Sequence, residues 1–200
     1  VEPGKPIFST IRGKWSEFFK NPNPIVLELG CGHGEYTVGL ASLFPNQNFV
    51  GVDVKGARIW KGSRQAEELE LPNAAFLRIR MLDLEERFEE NEVSGIWITF
   101  PDPRPKEKDE KRRLTSPRFM DMYRRLLKPG SWLHLKTDNL GLYEYTLESL
   151  KERNDIQSLV CTANLYQSAF YKMPQQIVTT YEKKFSSRSV PIKYLRFQFK

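Results

Sequence analysis

"IVLELGCGHGE", residues 25–35, is the stretch on which the fold turns. Its first six residues, Ile25–Gly30, are mostly apolar apart from Glu28 and read as a buried strand. Glycines then recur at Gly30, Gly32 and Gly34, and a helical pattern begins at Glu35 and runs to Leu43. Glycine at a strand-to-helix turn permits positive φ and close approach of a ligand, and a helix start offers unsatisfied N–H groups. A dinucleotide fingerprint, G-x-G-x-x-G, would require glycine where Glu35 stands. Glu28 is the second anomaly, because a charge in an apolar strand is costly unless a ligand or a backbone donor pairs it.

Working outward, strand and helix patterns alternate. "NFVGVDV" (Asn48–Val54) reads as a strand, Ala57–Leu71 as a helix stopped by Pro72, "AAFLRI" as a third strand and "SGIWITF" (Ser94–Phe100) as a fourth. Ser116 is expected to cap, and Pro117 to open, a helix reaching Leu127 and ended by "KPG". "SWLHLKT" (Ser131–Thr137), a helix over Leu140–Arg153, and the strands "DIQSLVCTA" and "PIKYLRFQF" complete the pattern. Such alternation implies right-handed βαβ units and a mainly parallel sheet, whose ligands bind beyond the carboxyl ends of the strands. The expected organisation is an N-terminal arm over residues 1–24, carrying one short aromatic helix, and a single domain over 25–200.

Carboxylates fall on the expected strand ends. Asp53 follows Gly30 by 23 residues and is placed to accept ribose hydroxyls. Asp102 sits between two prolines in "FPDP", on a stiff extended stub that no helix or sheet interior would tolerate. Asp138 ends the next strand, where a helix cap is the alternative reading. Acids around a glycine turn repel a pyrophosphate but suit a ligand bearing an ammonium and a sulfonium, so S-adenosylmethionine is the better cofactor.

Composition narrows the partners. With 31 basic and 25 acidic residues the net charge is +6, which favours an acidic partner. From Arg104 to Arg118 seven basic residues meet three acids, an excess of four beside Asp102. Cys31 and Cys161 have no metal-type spacing and His33 and His134 are the only histidines, so no metal and a reducing, cytoplasmic setting are expected. No apolar run approaches the ~18 residues that cross a bilayer, and the opening "VEPGKPIFST" is not a signal peptide pattern. No obligate protein partner is implied, and monomer and homodimer both remain open.

Taken in order, "LELGCGHGE", "FPDPRPKEKDEKRRLTSPRF", "HLKTDN" and "TTYEKKF" resemble the bacterial tRNA (guanine-N7-)-methyltransferase family across residues 25–187. The resemblance implies a Rossmann-like class I methyltransferase fold, an α/β architecture with a seven-stranded, mostly parallel sheet flanked by helices. It implies transfer of a methyl group from S-adenosylmethionine, leaving S-adenosylhomocysteine, to N7 of the variable-loop guanosine at tRNA position 46. By the same resemblance Glu28, Gly30, Gly32, Gly34 and Asp53 bind cofactor, and Asp102 lies near both cofactor and base. Lys106, Asp138 and the segment Thr179 to Glu182 contact tRNA, and Lys111, Arg112 and Arg113 are expected to hold its phosphates. The sequence departs from the family at Arg104, where tryptophan is usual, and at Arg80, where an acid is usual and Asp83 is a displaced substitute.

Guanine N7 is already nucleophilic, so the chemistry needs positioning and electrostatics rather than a covalent nucleophile or general base. Asp138 is the expected stabiliser of the growing positive charge, with Asp102 or Glu182 sharing the guanine edge. Tyr166, Phe170, Tyr171 and Tyr181 are candidates to stack on a base turned outward. Rival readings are an amino-group methyltransferase, whose Asn/Asp-Pro-Pro-aromatic stretch is replaced here by Pro-Asp-Pro-Arg, a non-catalytic RNA-binding module, and a nicotinamide-dependent reductase.

Overall fold

The computed structural model describes residues 1–172, 174, 176–186 and 190–200, without the side chains at 184–186. The arm holds two short helices rather than the expected one, α1 (Pro6–Thr10) and α2 (Trp15–Phe19). It folds back because Ile11, Trp15 and Phe19 are apolar at spacings that share one face, and all three are buried. Trp15 stacks on Phe88 at 4.9 Å, and its indole N–H donates to the Arg87 carbonyl.

Seven strands follow: β1 (Ile25–Leu29), β2 (Asn48–Asp53), β3 (Ala74–Arg78), β4 (Val93–Thr99), β5 (Leu127–Thr137), β6 (Ile156–Thr162) and β7 (Lys193–Phe199). They form one sheet in the order β3-β2-β1-β4-β5-β7-β6, parallel except for β7, which runs antiparallel to both its neighbours. Helices α3 (Glu35–Leu43), α4 (Gly56–Glu68), α5 (Pro117–Leu126), α6 (Leu140–Lys151) and α7 (Thr180–Ser186) connect or flank them.

Period-two alternation divides the strands between two cores. Leu27, Leu29, Ile96, Ile98, Leu133 and Leu135 face a large core completed by the arm, α5 and α6. Val26, Trp97 and Tyr194 face the opposite side with Tyr36 and Leu40 of α3. From β1 the chain adds β2 and β3 on one side and β4 and β5 on the other, so the switch point lies beyond the carboxyl ends of β1 and β4.

Two local expectations are corrected. Ser116 occupies the N-cap of α5, but its hydroxyl makes no capping bond there and instead donates to the Lys111 carbonyl at 3.4 Å. "KPG" ends α5 at Leu126 as expected, but β5 is entered at Leu127, ahead of the expected Ser131. Leu127 pairs with Val93, continuous pairing resumes at Trp132, and Gly130 takes φ 75° between them. A register shift between Val93 and Gly95 accommodates that turn.

Candidate active site

At the switch point Gly30, Gly32 and Gly34 take φ of 75°, 55° and 74°, conformations other residues adopt only with strain. Gly34 is also confined by packing, since a Cβ there would collide with the Phe76 ring. At Gly32 a Cβ would enter open space, so the turn leaves a hollow beside the start of α3. That hollow is part of a cleft of about 590 Å³ lined by Glu28, Gly30, Gly32, Asp102 and Tyr181, among others.

Glu28 is 3% exposed and is paired by backbone and hydroxyl donors. Its Oε2 accepts from the Thr37 N–H at 2.8 Å and from the Thr37 hydroxyl, and its Oε1 accepts from the Thr99 hydroxyl at 2.7 Å. A strand carboxylate thus satisfies one of the orphan amides at the N-terminus of α3, which Gly34 caps without a side chain. Burial nevertheless raises the Glu28 pKa to about 7, with the Thr37 and Thr99 hydrogen bonds holding it from going further.

Asp53 is 7% exposed and braces the turn: its Oδ2 accepts from the Gly32 N–H at 3.0 Å and its Oδ1 from the Lys55 N–H at 2.9 Å. Each oxygen keeps acceptor capacity beyond these bonds. With the open space at Gly32 and the Glu28 carboxylate on the cleft, the residues present fit a cationic amino-acid nucleoside such as S-adenosylmethionine. Arg80 and Asp83 are paired with each other at 2.9 Å and do not line this cleft, where Cys31, His33 and Arg58 stand instead.

The loop after β4 brings Asp102 to the opposite wall. Phe100 and Arg104, the residues bracketing Pro-Asp-Pro, take φ of 48° and 46°. Positive φ at non-glycine residues marks strain that surrounding structure must hold. Here Phe100 packs on Tyr181 at 5.4 Å, and Arg104 pairs with the Asp102 carboxylate at 3.0 Å. The Arg104 N–H also donates to Asp102 Oδ1, so the arginine that replaces the family's tryptophan orients the carboxylate.

Segment 179–182 closes the cleft from above. Thr179 and Glu182 form part of a capping box, with the Thr179 hydroxyl accepting from the Glu182 N–H at 3.1 Å. Glu35 at the start of α3 accepts from both the N–H and the hydroxyl of Thr180, tying α7 to the glycine turn. The Glu182 side chain is fully buried: Oε2 pairs with Lys136 Nζ at 3.0 Å and Oε1 accepts from the Tyr166 hydroxyl at 2.7 Å. Its carboxylate therefore faces inward, and of the two acids expected to share a guanine edge it is Asp102 that faces the cleft.

Asp138 lies between β5 and α6, half-buried and outside the wall formed by Glu28 and Asp102. The cap of α6 is Asn139, whose Oδ1 accepts from the Leu142 N–H at 2.8 Å, so Asp138 is not engaged as a helix cap. Tyr181 joins the two parts of the rim. Burial raises its phenol pKa, and the Asp138 and Asp102 charges raise it further. Of the four aromatic candidates only Tyr181 stands on the cleft; Tyr166 and Tyr171 pack on each other at 5.0 Å, and Phe170 lines a different groove.

Beyond Pro103 the basic run forms a 3-10 helix over Glu107–Arg112. Lys106 just before it and Lys111 and Arg112 on it are exposed, Arg112 pairing with Asp109 at 3.1 Å, whereas Arg113 covers the Tyr145 ring at 4.2 Å and donates to the Arg104 carbonyl. Sequence reasoning missed Lys136, Thr37 and Thr99 as supports of the site. The available signal for Lys136 was a charge sharing the inward face of β5 with His134. Among the described residues no group of three or more His, Cys, Asp or Glu is arranged to hold a metal. None of their helices is long and apolar enough to cross a membrane. A larger hollow of about 1420 Å³ lies between the arm, α4 and β3, but none of the rim carboxylates lines it.

The family model described as "Putative methyltransferase" matches residues 22–195. A tRNA (guanine-N(7)-)-methyltransferase of Cytophaga hutchinsonii is 50% identical over 199 residues, spanning 99% of this chain and 90% of that protein. Among solved structures, the 16S rRNA methyltransferase KamB superposes with a TM-score of 0.67 at 13% identity over 94% of this chain and 93% of its own. The geranyl diphosphate C-methyltransferase of Streptomyces coelicolor, crystallised with S-adenosyl-L-homocysteine, gives 0.56 at 18% identity over 98% and 81%. These structural likenesses concern the fold alone. The chain has the class I methyltransferase fold and belongs to the bacterial tRNA (guanine-N7-)-methyltransferase family.

Proposed function

We propose that this protein transfers the methyl group of S-adenosylmethionine to N7 of the guanosine at position 46 in the tRNA variable loop. The observation that carries the reading is the cleft in which Glu28, the glycine turn, Asp102 and Tyr181 face one another at the switch point. When bound, the cofactor supplies an electrophilic methyl on a sulfonium, which the N7 lone pair takes as the carbon–sulfur bond breaks.

The chain's own residues bind, orient and stabilise. Glu28 and Asp53 hold the cofactor side, while Gly30, Gly32 and Gly34 keep the backbone close to it. No general base is needed, because N7 carries no proton. The purine becomes cationic, and its N1–H and N2–H₂ donors strengthen their bonds to a carboxylate as charge grows. Asp138, at the edge of the cleft and close enough to Tyr181 to raise its pKa, is assigned as the main acceptor, with Asp102 on the cleft wall and Tyr181 stacking on the base. Interactions that tighten in the transition state lower the barrier, whereas uniform binding does not. Lys106, Lys111 and Arg112 deliver the strand through its phosphates, with Arg113 supporting the loop.

Nucleoside mass spectrometry of unmodified tRNA after incubation with the purified protein and S-adenosylmethionine tests this. The expected product is 7-methylguanosine, absent when position 46 is changed to adenosine. Methylation of adenine, or 7-methylguanosine undiminished in the altered tRNA, overturns the assignment.

A further inference from the structure

A second groove of about 810 Å³ lies on the α3 side of the sheet, toward the amino ends of β1, β4 and β5. It opens where Gly95 leaves a gap between Val26 on β1 and Trp132 on β5, to which it is registered. The register Trp97–His134–Arg196 forms the next row across β4, β5 and β7. Gly95 and Phe100 are five residues apart on the chain, so by strand rise the groove stands on the order of 16 Å from the methyl-transfer cleft.

Its lining combines flat aromatic surface with uncompensated positive charge. Trp97 and His134 stack at 3.9 Å, and the Arg196 guanidinium covers the Trp132 ring at 4.3 Å. Phe170 contributes a further ring, and Lys128, Lys172 and Arg196 contribute three cations. Among the described residues that line it there is no Asp or Glu. Arg196 Nε is buried without a hydrogen-bond partner, an unmet donor in a region where buried polar groups are ordinarily satisfied. Burial, and after it the Arg196 charge, push the His134 pKa down to about 3, so the imidazole stays neutral where it stacks on Trp97.

We infer that this groove is a second nucleotide-binding site, taking one unpaired base against its aromatic wall and the attached phosphate on Lys128, Lys172 and Arg196. Base stacking on aromatic and arginine planes tolerates any sequence, and phosphate contacts add affinity without specificity. The volume falls within the range of small-molecule sites. The nucleotide could come from the tRNA strand, which rests on the function proposed above, or be a free mononucleotide, which does not.

The test titrates AMP into protein saturated with S-adenosylhomocysteine, so that the cofactor's adenosine position is filled, and follows tryptophan fluorescence. Lys128→Glu/Lys172→Glu changes two exposed residues outside the methyl-transfer cleft, and an unchanged melting temperature checks folding. Trp132→Leu provides an independent variant. Saturable AMP binding, weakened tenfold or more by either variant, supports the site with a free nucleotide as ligand. A tenfold loss of tRNA affinity in the double variant, with unchanged turnover at saturating tRNA, supports the RNA strand as the source. If AMP does not bind and tRNA affinity is the same in all three proteins, the inference is overturned. That result would leave 7-methylguanosine formation by the unaltered protein untouched, so the two readings fail separately.

Discussion

At the scale of single residues, Glu28 carries a consequence for pH. Its carboxyl is protonated more readily in the folded chain than in the unfolded one, about 7 against 4.5. Between those values the unfolded state has lost its proton while the folded state retains it, so this group makes stability fall as pH rises. At about 1.4 kcal/mol per unit the full effect is on the order of 3 kcal/mol. Glu28→Gln should flatten that decline, measured by denaturant unfolding at pH 5 and pH 8, while weakening S-adenosylmethionine binding. An unchanged pH slope would mean that Glu28 does not titrate in this window. Asp138 supports a kinetic prediction. Asp138→Asn should lower kcat by about 10²–10³, by analogy with lost transition-state hydrogen bonds. Its cofactor affinity should stay within about twofold. Wild-type turnover on unmodified tRNA would remove Asp138 from the proposed mechanism.

At the scale of elements, α7 and the basic 3-10 helix answer to different forces. Glu35 gathers the N–H and hydroxyl of Thr180, coupling the start of α7 to the start of α3. Glu35→Ala should raise KM for tRNA several-fold with little change in cofactor affinity, and should speed amide exchange at Thr180. Unaltered exchange and KM would show that α7 is held by Lys136 and Glu182 without this latch. For the basic helix, Lys106, Lys111 and Arg112 are exposed and Arg113 is packed on Tyr145, so only the first three are expected to reach phosphate. Replacing those three by alanine should reduce the slope of log affinity against log salt by about 2 to 3. A slope equal to wild type would return them to an ordinary solvated surface.

At the scale of the whole molecule, what the sequence revealed and what it hid follow the range of the interactions. Strand–helix alternation is local, so β1 to β4 and α3 could be read to within a residue or two. The glycine turn was equally legible, because Gly30, Gly32 and Gly34 state a backbone requirement in adjacent letters. The stop of α5 at "KPG" was legible, but the entry of β5 at Leu127 was hidden, since it is set by pairing with Val93 on β4. Hidden too was the fate of Glu182: its partner Lys136 is 46 residues away, and only folding shows that they meet. Their ion pair, fully buried, ties β5 to α7 under the cleft, with Lys136 also donating to the Ile177 carbonyl. Removing one partner from such a pair strands a buried charge, at a cost of about 3–5 kcal/mol, whereas replacing both is often nearly neutral. Lys136→Met and Glu182→Gln should therefore each destabilise strongly, and the double variant should lose at least ~2 kcal/mol less than their sum. Denaturant unfolding of the four proteins measures the coupling. Additive losses would mean that the two charges are screened from each other. In that case α7 would be positioned over the cleft by the Thr179 capping box and the Glu35 latch instead.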